Sequence, residues 1–483
     1  MLFCFGYAAH AQVEEQDSTT VTLTVRLQNL TDGDFDSWMA EKRDRLDALT
    51  RECESKTFFS GISVYDLDER REVLAYQARK AMRPASTMKL LTAVTALDRL
   101  GANHDYVTSL GYTGSIADST LSGDIYVVGG FDPAFNEADL NSMANAIHEL
   151  GIRRIEGRVL GDVSMKDTLH WGSGWCWDDA PSTYEPYLTP LLVNRGCVKV
   201  SVNASKVSIS PSCSMLTIDD QRSATGNVKI DRNWVSNGNV ISLTGSRTGS
   251  ATRSMSVFSP ERFFVCALAD RLEERGIRFY GDGIDALEGE QRYGIGTIDG
   301  RQWQLVGQCR HTVEQVLQQM MKDSDNLYAE SMFYLLANNR GGKNASDEDG
   351  QKELENLLRK ADATLSQCRV ADGSGCSLYN YLTPETEVAV LRYAYQHDEI
   401  FSTLYPSLPI AGMDGTLASR MKGSQADGNV HAKTGTVSGV SALAGYVRAN
   451  NGHLLAFSMI CNGVMQQQEA RQMQDRLCQE LAR

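Results

Sequence analysis

No stretch of the 483 residues approaches the roughly 20 consecutive apolar residues that a membrane-spanning helix needs, so no transmembrane segment is expected. No period repeats along the chain, which excludes a solenoid. Positive charge is short: 47 Lys and Arg against 61 Asp and Glu leave a net charge of −14, which argues against nucleic acid or an anionic membrane as partner. Neither the eight histidines nor the eleven cysteines have zinc-ligand spacing. The cysteines also form no paired framework, so disulfides and buried free thiols stay equally open. What is present is globular in kind, 42% hydrophobic and 22% charged, in a chain longer than one core fills.

Residues 1–11 read as the apolar part of a secretory signal ending in Ala9-His10-Ala11, with cleavage expected before Gln12. The basic leader of such a signal is missing, and Cys4 lacks the small residues that a lipoprotein signal places before its cysteine. A polar, threonine-rich lead-in over 12–33 precedes an amphipathic helix over 34–55. Strands are expected at 58–67 and 73–76. A Leu- and Ala-rich helix then runs to a glycine stop at Gly101. From about 105 to 300 the texture changes to short alternating runs rich in Gly, Ser, Thr and Val, a mostly β region with a few helices such as 260–275. Helices return after Thr312, a plausible N-cap, at 313–321, 327–337 and 350–367. Strands at 430–436, 442–447 and 454–460 and a helix from about 466 close the chain. Similar pieces at both ends flank a different middle, so one domain over 12–104 and 301–483 is expected to be interrupted by an inserted domain over 105–300.

Three short motifs stand in order: Ser86-x-x-Lys89, Ser324-Asp325-Asn326 and Lys433-Thr434-Gly435-Thr436. Each is weak alone. Together, at a helix start, an interhelical loop and a terminal strand, they match the triplet of penicillin-binding proteins and serine β-lactamases. The chemistry explains the residue types. A serine hydroxyl attacks a peptide carbonyl poorly until a base takes its proton, and a lysine does so once desolvation or a second cation lowers its pKa. Lys89 is that candidate base, three residues from Ser86 on one helical face, with Lys433 the second cation. Ser324 is placed to relay a proton, and Asn326 to bond Lys89 and the substrate amide. Lys433 and Thr434 suit a substrate carboxylate, and Gly435 permits close approach. The N–H groups of Ser86 and Thr436 would form an oxyanion hole.

The long interval between Ser86 and Ser324 exceeds what a β-lactamase core uses. With Gly129-Gly130-Phe131-Asp132-Pro133, Gly174-Trp175-Cys176-Trp177-Asp178-Asp179, Asp372-Gly373-Ser374-Gly375 and the run Leu408 to Thr416, the sequence over about 57–465 resembles the class C low-molecular-mass penicillin-binding proteins, the DacB-type D-alanyl-D-alanine carboxypeptidases/endopeptidases. The resemblance implies an α/β serine β-lactamase/transpeptidase-like domain, helices on both sides of an antiparallel sheet, with the inserted domain between its parts. It implies a periplasmic enzyme, soluble or peripherally associated, that acylates Ser86 with peptidoglycan stem peptides and is trapped by β-lactams, needing no metal or organic cofactor. A β-lactamase, or a catalytically weak penicillin sensor or wall-binding protein, is the alternative. Two departures stand out: Phe131 where the family has a third glycine, and Cys376-Ser377-Leu378 where it has Leu-Ser-Arg. Asp162 falls where some relatives bind the free amine of the substrate's diamino acid, although the aromatic that follows there is replaced by Met165-Lys166-Asp167. Glu137-Ala138-Asp139-Leu140-Asn141, a β-lactamase-like motif in the wrong order, reads as a helix start.

Overall fold

Helix α2, Met88–Arg99, is the axis of the molecule and is buried from Met88 to Leu97. It is entered through a 3-10 turn at Ala85–Thr87, and Gly101, at φ +81°, ends it as expected. The structure, a computed structural model, describes residues 8–12, 24–28, 32–281, 286–338 and 342–483. The expected leader lies largely outside these; Ala8–Gln12 pairs with Thr24–Gln28 as a two-stranded antiparallel ribbon. Among the described residues no helix is long and apolar enough to cross a membrane.

The central sheet is antiparallel, ordered His431–Val437, Gly439–Arg448, Leu454–Val464, Phe59–Asp66, Arg71–Tyr76. Its middle strands are apolar at nearly every position because both faces are covered. Alternation sorts the side chains: Leu443, Val447, Leu455 and Phe457 pack with α1 (Asp32–Ser55) and the C-terminal helix Gln467–Ala482, while Ala444, Tyr446 and Ala456 pack with α2. Each of the larger side chains, Leu443, Val447, Leu455 and Phe457, contributes about 1.5–3 kcal/mol of burial, offset by chain entropy.

Between Asp105 and Thr312 the chain leaves this sheet and builds four others. A five-stranded mixed sheet carries Val159–Asp162 parallel to both its neighbours, and its edge strand Trp303–Thr312 pairs with Asp105–Thr113, extending the middle region beyond residue 300. Helices α3 (Glu137–Glu149) and α4 (Pro260–Glu274) share its core. Asn136 caps α3, so the Glu137 motif is a helix start. Phe131 takes the left-handed conformation, φ +54°, that favours glycine, and its ring is held 5.9 Å from Tyr334.

Thr312 caps α5 (Val313–Lys322), its Oγ1 accepting from Gln315 N at 3.3 Å. Asp325 caps α6 (Asn326–Ala337). Helix α7 spans Asp347–Lys360, shorter than the 350–367 expectation at its end because Asp362 turns left-handed at φ +56°. Two helices that the sequence reading left unassigned, α8 (Pro384–Tyr395) and α9 (Asp398–Ser407), pack beside α2 in the same core. The C-terminal helix is α10.

Candidate active site

The three motifs converge. Ser86 sits in the 3-10 turn before α2, and Lys89, one turn on, points its Nζ to Ser86 Oγ at 2.9 Å. The same Nζ donates to Asn326 Oδ1 at 2.7 Å and to the Ser374 carbonyl at 2.8 Å. Lys433 Nζ reaches Ser324 Oγ at 2.8 Å. Ser324 holds a left-handed φ of +61°, a strained setting that aims its hydroxyl at Lys433. Both lysines are fully buried. Burial lowers the Lys89 pKa, opposed by Cys376 and by the Asp372 and Glu330 carboxyls; burial first, and the Lys89 charge second, lower that of Lys433.

A cleft of about 440 Å³ opens over these groups, lined by Ser86, Tyr184, Ser324, Thr434, Thr436 and Arg471 among others. Its floor is the edge strand. A side chain at Gly435 would stand 2.6 Å from the Pro84 carbonyl, so only glycine lets the strand lie against the Ser86 turn. Gly375, at φ +85°, makes the same kind of approach to the Ala85 carbonyl from the opposite wall. Thr434 Oγ1 donates to Thr416 Oγ1 at 2.8 Å.

A buried polar frame holds the catalytic turn. Glu387 of α8 accepts from Thr87 Oγ1 at 2.5 Å and Ser458 Oγ at 2.6 Å, and burial pushes its carboxyl up to about 7. Glu330, one turn past Asn326 on α6, accepts from the Gly373 and Ser374 N–H groups; burial raises it to about 8. Asp372 accepts from Gly375 N, Ser377 N, Asn380 Nδ2 and Trp175 Nε1, shaping the loop whose Ser374 carbonyl receives Lys89. The middle region adds two contacts: the Tyr184 carbonyl accepts from Asn326 Nδ2 at 3.0 Å, and Arg195 pairs with Asp325 at 2.7 Å.

Eight of the nine expected site residues thus come together: Ser86, Lys89, Ser324, Asn326, Lys433, Thr434, Gly435 and Thr436. Asp162 does not. It is buried at the end of its strand, outside the cleft lining, and both carboxylate oxygens accept backbone N–H groups, from Ser164 and Ile298, each at 2.9 Å. Each oxygen accepts one backbone N–H, so Asp162 clasps two loops, and the pocket that it lines with Gly129, Ser164 and Asp299 shares no lining residue with the Ser86 cleft. Four contributors escaped the sequence reading. Glu330 was legible as Asn326 plus one helical turn. Tyr184, Glu387 and Arg471 carry no local signal, since only folding brings their segments to the cleft. The guanidinium of Arg471, exposed in the cleft wall, has no ion pair among the described residues.

A sheet covered on both faces, with a desolvated lysine beside a serine at a buried helix start, defines a serine peptidase of the transpeptidase/β-lactamase-like fold. The chain belongs to the D-Ala-D-Ala carboxypeptidase 3 (S13) family, whose model matches residues 42–483. It is 30% identical over 453 residues to the D-alanyl-D-alanine carboxypeptidase of Actinomadura sp. (strain R39), spanning 88% of this chain and 81% of that protein. Its fold matches the crystal structure of penicillin binding protein 4 (dacB) from Haemophilus influenzae with a TM-score of 0.77 at 25% identity, covering 89% of this chain and 97% of that one. The same protein complexed with a novel β-lactam matches at a TM-score of 0.72 and 24% identity, with the same coverage.

Proposed function

We propose that the protein cleaves the terminal D-Ala-D-Ala bond of peptidoglycan stem peptides through an acyl-enzyme on Ser86, and that it acts in the periplasm. The observation that carries this is the 2.9 Å contact between Ser86 Oγ and a fully buried Lys89 Nζ. In its neutral form, favoured by burial, Lys89 accepts the Ser86 proton as Oγ bonds to the penultimate D-Ala carbonyl carbon. The Ser86 and Thr436 N–H groups receive the oxyanion. The proton returns through Ser324, held by Lys433, to the departing amine as the C–N bond breaks. Water then cleaves the ester. Asn326 fixes Lys89 and the substrate amide, while Thr434 and Arg471 face the terminal carboxylate. A β-lactam presents the same amide: Ser86 Oγ bonds to its carbonyl carbon as the ring C–N bond breaks, and the ring-opened acyl group stays on Ser86 as an ester. Dimeric cross-links, whose amine leaves in the same sense, give the endopeptidase reaction. We place the inserted domain at 105–312, its last strand leading into the cap of α5.

Incubation of the purified protein with dimeric muropeptides and, separately, nitrocefin tests the assignment. Monomers and free D-Ala, with slow nitrocefin turnover, are expected; rapid nitrocefin turnover with intact muropeptides would make it a β-lactamase instead.

A further inference from the structure

The Gly174 to Asp179 motif holds two tryptophans with opposite fates. Trp175 turns inward, its indole N–H donating to Asp372. Trp177 turns outward and is 72% exposed. Its ring meets that of Trp234, 5.3 Å away and inclined at 36°, and Val235 beside Trp234 is 77% exposed. Two indoles and a valine, brought together from segments far apart in the chain, make an apolar ledge on which Trp177 and Val235 are exposed and Trp234 is half-buried. An apolar ledge of this kind marks a contact surface.

The segment that carries Trp177 also reaches the catalytic cleft. Asp179 faces Glu185, and Tyr184 beside it lines the cleft and holds Asn326 through its carbonyl. Gly174 packs against the ring of Tyr379, itself 47% exposed. The surrounding charge narrows the occupant. From residue 171 to 187 there is no Lys or Arg, and Arg195 and Arg232, which reach this segment, already have partners, Asp325 for the first and Gly238 and Tyr187 for the second; Asp178 is exposed and acidic, while burial raises the Glu185 carboxyl to about 8. An anionic lipid or nucleic acid would be repelled there. A neutral sugar ring fits, since its C–H face lies flat on an indole while its hydroxyl and N-acetyl N–H groups meet acidic acceptors such as the exposed Asp178.

We propose that Trp177 and Trp234 form a glycan-binding ledge, which takes the N-acetylated amino-sugar strand to which the stem peptides are attached and keeps the enzyme on its polymer. The identity of the polymer rests on the proposed peptidoglycan reaction, but the binding is measurable without turnover.

The full chain and the Trp177→Ala and Trp234→Ala variants are compared on three probes: chitin, a neutral N-acetylated amino-sugar polymer without peptides, for co-sedimentation; intact sacculi, for D-Ala release; and a soluble pentapeptide ending in D-Ala-D-Ala. The wild type should sediment with chitin, and each variant should lose retention by roughly five- to tenfold, with a similar fall in D-Ala release from intact sacculi. Turnover of the soluble pentapeptide should stay within about twofold, which also shows that the variants fold. Absence of wild-type retention on chitin overturns the ledge. So does equal retention of the variants, a parallel loss on the soluble peptide, or self-association of the wild type that Trp177→Ala abolishes, which would assign the surface to a second copy. Retention of the wild type without turnover of either peptide substrate would uphold the ledge and overturn the proposed reaction.

Discussion

Charge is buried in two different ways in the two halves of this molecule. In the middle region three of the four buried arginines are matched by carboxylates, Arg292 with Asp270 and Glu273, Arg271 with Glu137, and Arg222 with Asp220, while the fourth, Arg232, donates to the Gly238 carbonyl and the Tyr187 hydroxyl. Around the cleft the buried cations are lysines whose Nζ atoms rest on hydroxyls, an amide oxygen and carbonyls, with no carboxylate in contact. A guanidinium paired with carboxylates keeps its proton and serves architecture. An ammonium given only neutral acceptors in a dry site is poised to lose one. The comparison teaches that the site is recognised by leaving uncompensated a buried charge that can lose its proton, as Lys89 can and Arg232, equally unpaired among the described residues, cannot.

The largest effect should come from removing the uncompensated pair. Ser86→Ala should abolish covalent labelling by a fluorescent penicillin while leaving the thermal unfolding midpoint nearly unchanged, because a small hydroxyl contributes few packing contacts. Lys89→Ala should lower the acylation rate by roughly 10²–10⁴-fold, measured by stopped-flow with the same penicillin. An unaltered rate would show that the base lies elsewhere and erase the contrast between the two kinds of burial.

Next in size is the middle region's own carboxylate. Asp162→Asn turns one acceptor into a donor facing a backbone N–H, and should cost about 1–3 kcal/mol of unfolding free energy, read by denaturant titration. Peptide and penicillin reactions should respond alike. A selective loss on peptides carrying a free side-chain amine would restore Asp162 as a recognition residue and place function in the middle region.

A smaller effect belongs to Arg471. The Arg471→Gln variant should lose roughly tenfold of the preference for a peptide ending in a free carboxylate over its C-terminal amide, about 1.4 kcal/mol. Equal kcat/KM losses on acid and amide would mean that the guanidinium shapes the cleft wall without meeting the carboxylate.

The smallest expected effect lies at the junction between the halves. His311 Nδ1 contacts Asp132 Oδ2 at 2.6 Å, and this hydrogen bond raises the imidazole pKa, with burial opposing. The stabilisation it gives is therefore fully present below the unfolded value of 6.5 and fades as pH rises through the higher folded value. Relative to His311→Gln, the wild type should gain under about 1 kcal/mol at pH 5 and lose that margin by alkaline pH. A margin that grows with pH would contradict the ion pair.

Local chemistry made much of this legible before folding. The cap at Thr312, the glycine stop at Gly101, the start of α3 and the continuous apolar runs of the last two strands are each decided within a few residues, so the sequence alone determined them. The motif triplet was legible too, because a nucleophile, a base and a proton relay restrict which residue types serve. Tertiary structure decided the rest. It chose α8 and α9, whose value lies in covering α2, and it turned Asp162 inward, since a strand end with two unpaired N–H groups nearby uses a carboxylate there more strongly than solvent does. It alone desolvated Lys89, because the pKa of a lysine depends on what surrounds it in space. And it carried Glu330, Glu387, Tyr184 and Arg471 to one cleft from segments that have no reason, within the sequence, to meet.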